Sequence, residues 1–275
     1  MNQNDNYNNY NGYNSSDNFQ SNQYYGQDYN QNFNQGYNQS YNQNYNQGYT
    51  NNYGQAAYQP AANTISAEKY NVIIGLTLMY GFIVNCLMVN FCADIAIDLV
   101  MNNAILFYVS YIIMVIAGTM MIRKSDNPVV SFIGYNLMVV PLGLVLTTVL
   151  TVYTAAGYSS TITIAFAITG IVTLAMMLLA AAIPNFFLSL GRTLCVSLLL
   201  TVVLELILFF AGASLGIIDY IVVLIFCGYI GYDWAKANQC EKTVDNAIDS
   251  ASELYIDIVN LFLRILRILA RSQRN

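Results

Sequence analysis

Residues 254–269, LYIDIVNLFLRILRIL, combine the two properties that decide the fold of this chain. They are apolar enough to lie inside a membrane, yet they include charged and amide side chains. The charged and amide residues of this stretch and of the turn that follows it are Asp257, Asn260, Arg264, Arg267 and Arg271. Successive members of this set lie three, four, three and four residues apart. That spacing places all five on one stripe of a single helix. Because charges are costly to hold in hydrocarbon, we expect the stripe to face protein, water or a passing ion.

The composition indicates a membrane protein outside this segment as well. Hydrophobic residues make up 56% of the chain and charged residues only 9%, which is too apolar for an ordinary soluble domain. Each apolar stretch approaches the roughly 20 residues that cross a bilayer, and the loops between them are short, so the predicted fold is all-α, a polytopic bundle of seven antiparallel helices. The predicted spans lie near residues 70–92, 104–122, 129–153, 161–183, 194–213, 217–233 and 254–270.

The N-terminal residues 1–62 have a different composition, rich in Asn, Gln, Tyr and Gly. Residues 1–60 contain no Lys, Arg, Val, Ile or Leu, and from Tyr25 to Tyr53 an aromatic residue recurs at every fourth position. Asn and Gly are poor helix formers and no aliphatic face is present, so this segment is predicted to be a disordered tail. It is either prone to weak self-association or a solvated cytoplasmic tail without a specific partner.

Charge and residue usage exclude several classes of function. The net charge is -5 and neither part of the chain is basic, which argues against nucleic-acid binding. The chain has no histidine, so the usual Ser-His-Asp and Cys-His catalytic arrangements are absent and we expect no enzyme. The five cysteines are scattered without a CxxC pair, which predicts inert, buried thiols and no metal cofactor.

Basic residues indicate the topology of the predicted bundle. They follow the second, fourth and sixth spans, at Arg123, Lys124, Arg192, Lys236 and Lys242. By the positive-inside rule, these loops and the N-terminal tail are cytoplasmic. A seventh crossing would place the C-terminal arginines on the far side, against the same rule. Either the last segment enters and returns without crossing, or the bundle holds its arginines.

Three stretches resemble one membrane-protein family. Residues 254–269 are similar to the closing signature of the transmembrane Bax inhibitor motif family, and Tyr232-Asp233 resembles the Tyr-Asp that ends its sixth span. The 24-residue step from Asp233 to Asp257 fits the paired aspartates of that family, and the sequence PLGL at 141–144 resembles its weaker third-span pattern. The resemblance covers about residues 68–271, which we take as the transmembrane domain.

The resemblance implies a bundle in which six helices wrap a central last helix. Some members are described as pH-sensitive calcium leak pathways, with two aspartates as the sensor and a basic residue near the second span as a latch. The matching residues here are Asp233 and Asp257, with Arg123, close to Lys124, at the latch position. Calcium would then be a permeant ion and no cofactor would be required.

The chemistry of such a pair is simple. Two carboxyl groups within hydrogen-bond reach in a poorly solvated place are expected to share one proton. When the proton is lost, they repel each other and expose oxygen ligands for a weakly bound calcium ion. Asn260 and Arg264 follow Asp257 on the stripe and are further gate or latch candidates. Alternatively, Asp257 is part of a buried ion pair with Arg123 or Arg264 that only fixes helix packing.

Other acidic residues have two interpretations each. Glu205, in the middle of the predicted fifth span, either lines an ion pathway or is a protonated packing residue. Three further acids at the outer span ends form a cation-attracting mouth or, more commonly for such positions, are solvated helix termini: Asp94, Asp98 and Asp219.

The preferred function is a pH-sensitive cation leak channel, calcium favoured, gated by Asp233 and Asp257. The expected partners are the lipid bilayer, calcium ions and protons. The alternative is a regulatory or scaffolding integral membrane protein that binds other membrane proteins without conducting ions. A cell membrane is the favoured location, and an internal membrane is the second choice.

Overall fold

The computed structural model describes residues 63–212 and 216–273. The disordered tail predicted for residues 1–62 therefore lies outside the described residues. The described part contains eight α-helices, one π-helical segment and no β-strand, which confirms the all-α prediction. In chain order they are α1 (Ala67–Phe91), α2 (Ala93–Ile97), the π-helical segment (Asp98–Asn102), α3 (Ala104–Lys124), α4 (Pro128–Ala155), α5 (Ser159–Ala182), α6 (Pro184–Phe210), α7 (Gly216–Gln239) and α8 (Val244–Ser272).

Polar side chains at the helix starts explain where several helices begin. Asn127 Oδ1 accepts a hydrogen bond from the backbone N–H of Val129 (2.9 Å), and Pro128 occupies the first turn of α4. Thr243 Oγ1 caps α8 by accepting from the N–H of Asn246 (3.1 Å). Gly157, with φ of 86°, supplies the left-handed turn between α4 and α5. These local signals separate long helices that share the same apolar composition.

Six helices are suited by length and composition to cross a membrane, namely α1 and α3 to α7. The remaining long helix, α8, has 29 residues and would extend about 43 Å. It carries four acidic residues in its first half and three arginines in its second half. Its length fits a seventh crossing, but its charges require partners inside the bundle.

The count of seven helices is wrong for the described residues. The additional elements are α2 and the π-helical segment, which join α1 to α3. Ala96 and Val100 are buried in this connection, whereas Asp94 and Asp98 are exposed. Asp98 Oδ1 accepts a hydrogen bond from Asn102 Nδ2 (2.6 Å). A helix of five residues is too short for a periodic pattern, so the sequence indicated only a loop.

Two predicted spans begin too late. The fifth was placed at residues 194–213, but α6 begins at Pro184, so Arg192 lies within the helix and not in a loop. The last was placed at residues 254–270, but α8 begins at Val244. In both cases the first turns carry polar or charged residues that lower the hydropathy. Pro at a first helical position and a Thr cap mark the true starts.

The last helix lies inside the bundle, but its neighbours differ from the predicted six. Helix α8 packs mainly against α1, α4, α5 and α7, while α3 packs on α4 and α6 packs on α7. The residues Leu254, Tyr255, Leu261 and Leu266 of α8 are almost completely buried. Four helices therefore enclose most of α8, and two more lie further out.

Candidate functional site

The predicted acidic pair lies between α7 and α8. Asp233 and Asp257 are 7% and 6% exposed, and their carboxyl groups lie within hydrogen-bond reach of each other. Two carboxyl groups can share a hydrogen bond only when one of them carries the proton. Asp257 Oδ2 is buried and has no hydrogen-bond partner among the described residues. This oxygen of the pair therefore receives no hydrogen bond from an N–H or hydroxyl group of the described residues.

Two basic side chains, those of Lys236 and Arg123, lie near the acidic pair. Lys236 Nζ forms an ion pair with both oxygens of Glu253, each at 2.7 Å, one turn away on the same two helices. Arg123, at the end of α3, is exposed and lies close enough to Asp233 to act on it electrostatically. Among the described residues, Arg123 forms no ion pair with either aspartate. Lys124, its neighbour, is also exposed.

The next candidate on the stripe, Asn260, is turned towards its own helix. Its Nδ2 donates a hydrogen bond to the carbonyl oxygen of Ile256 at 2.8 Å. This local bond does not place its amide on the aspartates. A group of three or more His, Cys, Asp or Glu side chains able to hold a metal ion does not occur in residues 63–212 and 216–273.

The three arginines of the stripe converge on two acids near the other end of α8, and we call this group the arginine cluster. Arg264 donates hydrogen bonds to Glu205 of α6 from both terminal guanidinium nitrogens, Nη1 and Nη2, with Nη2 at 3.0 Å from Oε2. Asp219 of α7 accepts hydrogen bonds from all three guanidiniums, from Arg264 Nη1 (3.0 Å), Arg267 Nη1 (3.1 Å) and Arg271 Nη2 (2.7 Å). The Asp219 side chain is 0% exposed.

The arginine cluster answers three sequence-based expectations. Asp219 is not a solvated helix terminus or an open mouth, because it is fully buried beneath three guanidiniums. Arg264 does not pair with Asp257, since its guanidinium lies between Glu205 and Asp219. Helix α8 continues unbroken from Val244 to Ser272, so the bundle holds the arginines and the segment does not turn back.

Sequence reasoning missed the partnership of Asp219, although a signal was present. Asp219 lies 14 residues before Asp233 on α7, and Arg271 lies 14 residues after Asp257 on α8. In an antiparallel pair of helices, once Asp233 faces Asp257, equal steps in opposite directions bring Asp219 to Arg271. The Lys236–Glu253 ion pair follows from the same register.

A second polar connection links α8 to α1 and α4. Asn85 Nδ2 donates a hydrogen bond to Tyr255 Oη at 2.6 Å, and Tyr135 Oη donates to the carbonyl oxygen of Thr77 at 3.0 Å. The rings of Tyr135 and Tyr255 meet edge to face, with centroids 5.5 Å apart. These contacts hold α8 on the side opposite α7.

The five cysteines are free thiols, and Cys86 and Cys195 are exposed, contrary to the prediction that they are buried.

Known proteins resemble this chain in sequence. Residues 65–275 match the family model described as inhibitor of apoptosis-promoting Bax1. The inner membrane protein YbhL of Escherichia coli strain K12 is 27% identical over 231 residues, which is 76% of this chain and 96% of the relative. YrjE of Lactococcus lactis is 27% identical over 218 residues, or 73% of this chain and 88% of the relative. LIFEGUARD 3 of Arabidopsis thaliana is 44% identical over 61 residues, 22% of this chain and 24% of the relative.

Six apolar helices and relatives with membrane names define an integral, multi-pass membrane protein. Within that class, the chain belongs to the Bax inhibitor family, because the family model covers most of its length.

Proposed function

We propose that this protein is a pH-sensitive cation leak channel, with calcium as the favoured ion, gated by Asp233 and Asp257. The observation that carries the proposal is the pair of carboxyl groups buried next to each other between α7 and α8. A structural ion pair would place a cation directly on one of these carboxylates. Here the two carboxyl groups lie close to each other, and Asp257 Oδ2 receives no hydrogen bond from an N–H or hydroxyl group of the described residues.

The proposed mechanism follows from the proton count. At low pH one shared proton bridges α7 and α8 and keeps the pathway closed. Loss of that proton leaves two negative charges in contact, which separates the carboxylates and presents their oxygens to a hard cation. Two carboxylates bind calcium weakly, which suits an ion that must also be released. Arg123 is the proposed latch, because its charge acts on Asp233 from α3.

Purified protein in liposomes tests this proposal directly. Calcium flux should increase as the pH rises from about 6 to 8, because the shared proton is lost over that range. Asp257→Asn should remove the pH dependence while preserving the fold, since an amide forms hydrogen bonds but does not titrate. The matched control is Asp94→Asn, which removes an exposed carboxylate of α2 and should leave the pH profile unchanged. A pH-independent flux in the wild-type protein would contradict the gate.

The second candidate is a regulatory or scaffolding protein that binds other membrane proteins. The description of the matching family model, inhibitor of apoptosis-promoting Bax1, favours this function. The same liposomes separate the two candidates, because they contain no other protein. A scaffold would leave calcium flux at the level of empty liposomes at every pH.

We further propose that the protein acts without enzymatic activity or a bound cofactor and does not bind nucleic acid. We place it in a cell membrane with its N-terminal tail in the cytoplasm. The name of the Escherichia coli relative, inner membrane protein YbhL, supports the assignment to a cell membrane. The exposed basic residues Arg123 and Lys124 near the acidic pair support a cytoplasmic N-terminal tail by the positive-inside rule.

A further inference from the structure

The contact between α7 and α8 carries charged groups at both ends. The acidic pair lies at one end, and Asp219 with Arg271 lies 14 residues away on both helices, about 21 Å along the axis. Between them, Val222 and Phe226 of α7 and Leu261 and Ile265 of α8 belong to the same buried apolar core. Along the contact between α7 and α8, the arginine cluster is therefore the next charged group after the acidic pair.

Arg264 occupies the inner position of that cluster. It is the arginine nearest to Asp257 in the chain, seven residues away, or about 10 Å along the helix. Its side chain is 18% exposed, compared with 42% for Arg267 and 36% for Arg271. It also contacts two other helices, since it binds Glu205 of α6 and Asp219 of α7. The guanidinium thus fills the space where α6, α7 and α8 meet.

The cluster also carries a surplus of positive charge. Three guanidiniums meet two carboxylates, Glu205 and Asp219, so one positive charge remains uncompensated within this group. Charges in a partly buried setting act with a low effective dielectric constant, and one uncompensated guanidinium strongly opposes a nearby cation. Glu205 and Asp219 would attract cations alone, but the arginines occupy their oxygens.

We propose that the Arg264 guanidinium, held between Glu205 and Asp219, is the specificity-determining barrier that limits cation passage at the end of α8 opposite the acidic pair. This inference rests on the proposed function, because it concerns the same pathway. The barrier acts in series with the acidic pair, so deprotonation of the aspartates raises calcium flux only to the level that Arg264 permits. Loss of the guanidinium exposes the Glu205 carboxylate to the passing ion.

The test compares two variants that remove one positive charge from the same cluster. Arg264→Gln removes the guanidinium between the helices, and Arg267→Gln removes one that is more exposed and contacts only Asp219 in the cluster. Calcium and chloride fluxes are measured separately in liposomes at pH 8, with Asp257→Asn as the gate control. We expect Arg264→Gln to raise calcium flux about tenfold or more, with chloride flux unchanged. Arg267→Gln should raise calcium flux clearly less than Arg264→Gln does, since its more exposed charge is screened more strongly.

Two further variants separate the barrier from a structural role. Arg264→Lys keeps the positive charge and should keep calcium flux near the wild-type level. The double variant Glu205→Gln/Arg264→Gln removes both partners of the ion pair, which a membrane interior tolerates better than one unpaired charge. It should also raise calcium flux, because the guanidinium is absent. This variant provides the test if Arg264→Gln alone does not fold.

The outcomes are distinct. Equal increases in calcium and chloride flux would mean a loosened bundle and would overturn the barrier. Equal effects of Arg264→Gln and Arg267→Gln would overturn the specific role of Arg264. Unchanged flux in Arg264→Gln, with a wild-type pH response that depends on Asp257, would reject the barrier and retain the proposed channel. Absence of calcium flux in every protein would overturn both proposals.

Discussion

At the scale of single residues, the two aspartates and the three arginines use opposite solutions to the cost of charge inside a membrane. Asp233 and Asp257 lie within hydrogen-bond reach of each other, so one proton can bridge them, whereas Asp219 is surrounded by three guanidiniums. The pair of Asp233 and Asp257 responds to protons, because two carboxyl groups share a hydrogen bond only while one of them is protonated. The group around Asp219 is an ion-pair network whose guanidinium donors cannot be deprotonated near neutral pH. Only the first group therefore suits a pH sensor.

Arg123 is the residue whose role the geometry makes most testable. It acts on Asp233 electrostatically from an exposed helix end, and its charge favours the ionised form of the pair. Arg123→Ala should therefore shift the midpoint of the pH–flux curve to higher pH, because deprotonation becomes less favourable. The shift should be modest, about half a pH unit, since solvent screens an exposed charge.

Lys124→Ala is the control for this prediction, because it removes an equally exposed charge from the adjacent position. A specific latch requires a larger shift for Arg123 than for Lys124. Equal shifts would indicate general electrostatics, and Arg123 would no longer belong to the gate.

At the scale of elements, a close contact between two helix backbones joins α3 and α4. A Cβ atom on Gly134 would lie 2.7 Å from the carbonyl oxygen of Gly118, and the same atom on Gly118 would lie 2.5 Å from the carbonyl oxygen of Gly134. Two backbones approach this closely only where neither residue has a side chain. This contact holds α3, which carries Arg123, against the rest of the bundle.

Gly134→Ala should lower stability and alter gating together. The added methyl group must displace the backbone of α3, at a cost of about 1–3 kcal/mol. Thermal unfolding in detergent measures the first effect, and the pH–flux midpoint measures the second, because α3 positions Arg123. Gly170→Ala is the matched control, since nothing lies within 4 Å of a Cβ atom there. Similar stability of both variants would contradict the proposed close contact.

The sequence allowed prediction of the long helices but not of all their partners. Apolar runs near the length of a bilayer core identify α1 and α3 to α7, whereas the five residues of α2 are too few to show a period. The family signature led to Asp233 and Asp257, which face each other in the structure. Asp219 was misjudged because an acid in the first turn of a helix is usually solvated, and only the register of α7 against α8 shows its partners.

At the scale of the whole molecule, the two ends of the described chain lie at opposite ends of the bundle. The backbone N–H of Ile65, just before α1, donates a hydrogen bond to the carbonyl oxygen of Lys242 (2.8 Å), just before α8. Helix α8 then runs unbroken to Ser272, where Gln273 Oε1 accepts a hydrogen bond from Thr161 of α5 (2.8 Å). We therefore expect residue 65 and residue 272 to face opposite sides of the membrane.

This arrangement predicts the result of labelling from one side of the membrane. In a variant whose five cysteines are replaced by alanine, Ser66→Cys and Ser272→Cys should react with an impermeant thiol reagent from opposite sides, since both positions are exposed. Intact cells or sealed vesicles provide the measurement, and permeabilised membranes provide the control for reactivity. Reaction of both cysteines from the same side would show that α8 does not cross.

The burial of α8 among helices made earlier in the chain has a consequence for biogenesis. Ribosomes synthesise α6 and α7 before α8, so Glu205 and Asp219 enter the membrane before their arginine partners exist. Until α8 inserts, the nascent bundle carries two unpaired acids and lacks its central helix. Premature termination before residue 264 would leave Glu205 and Asp219 permanently without their arginine partners. Membrane proteases could then recognise the incomplete protein by these unpaired acids.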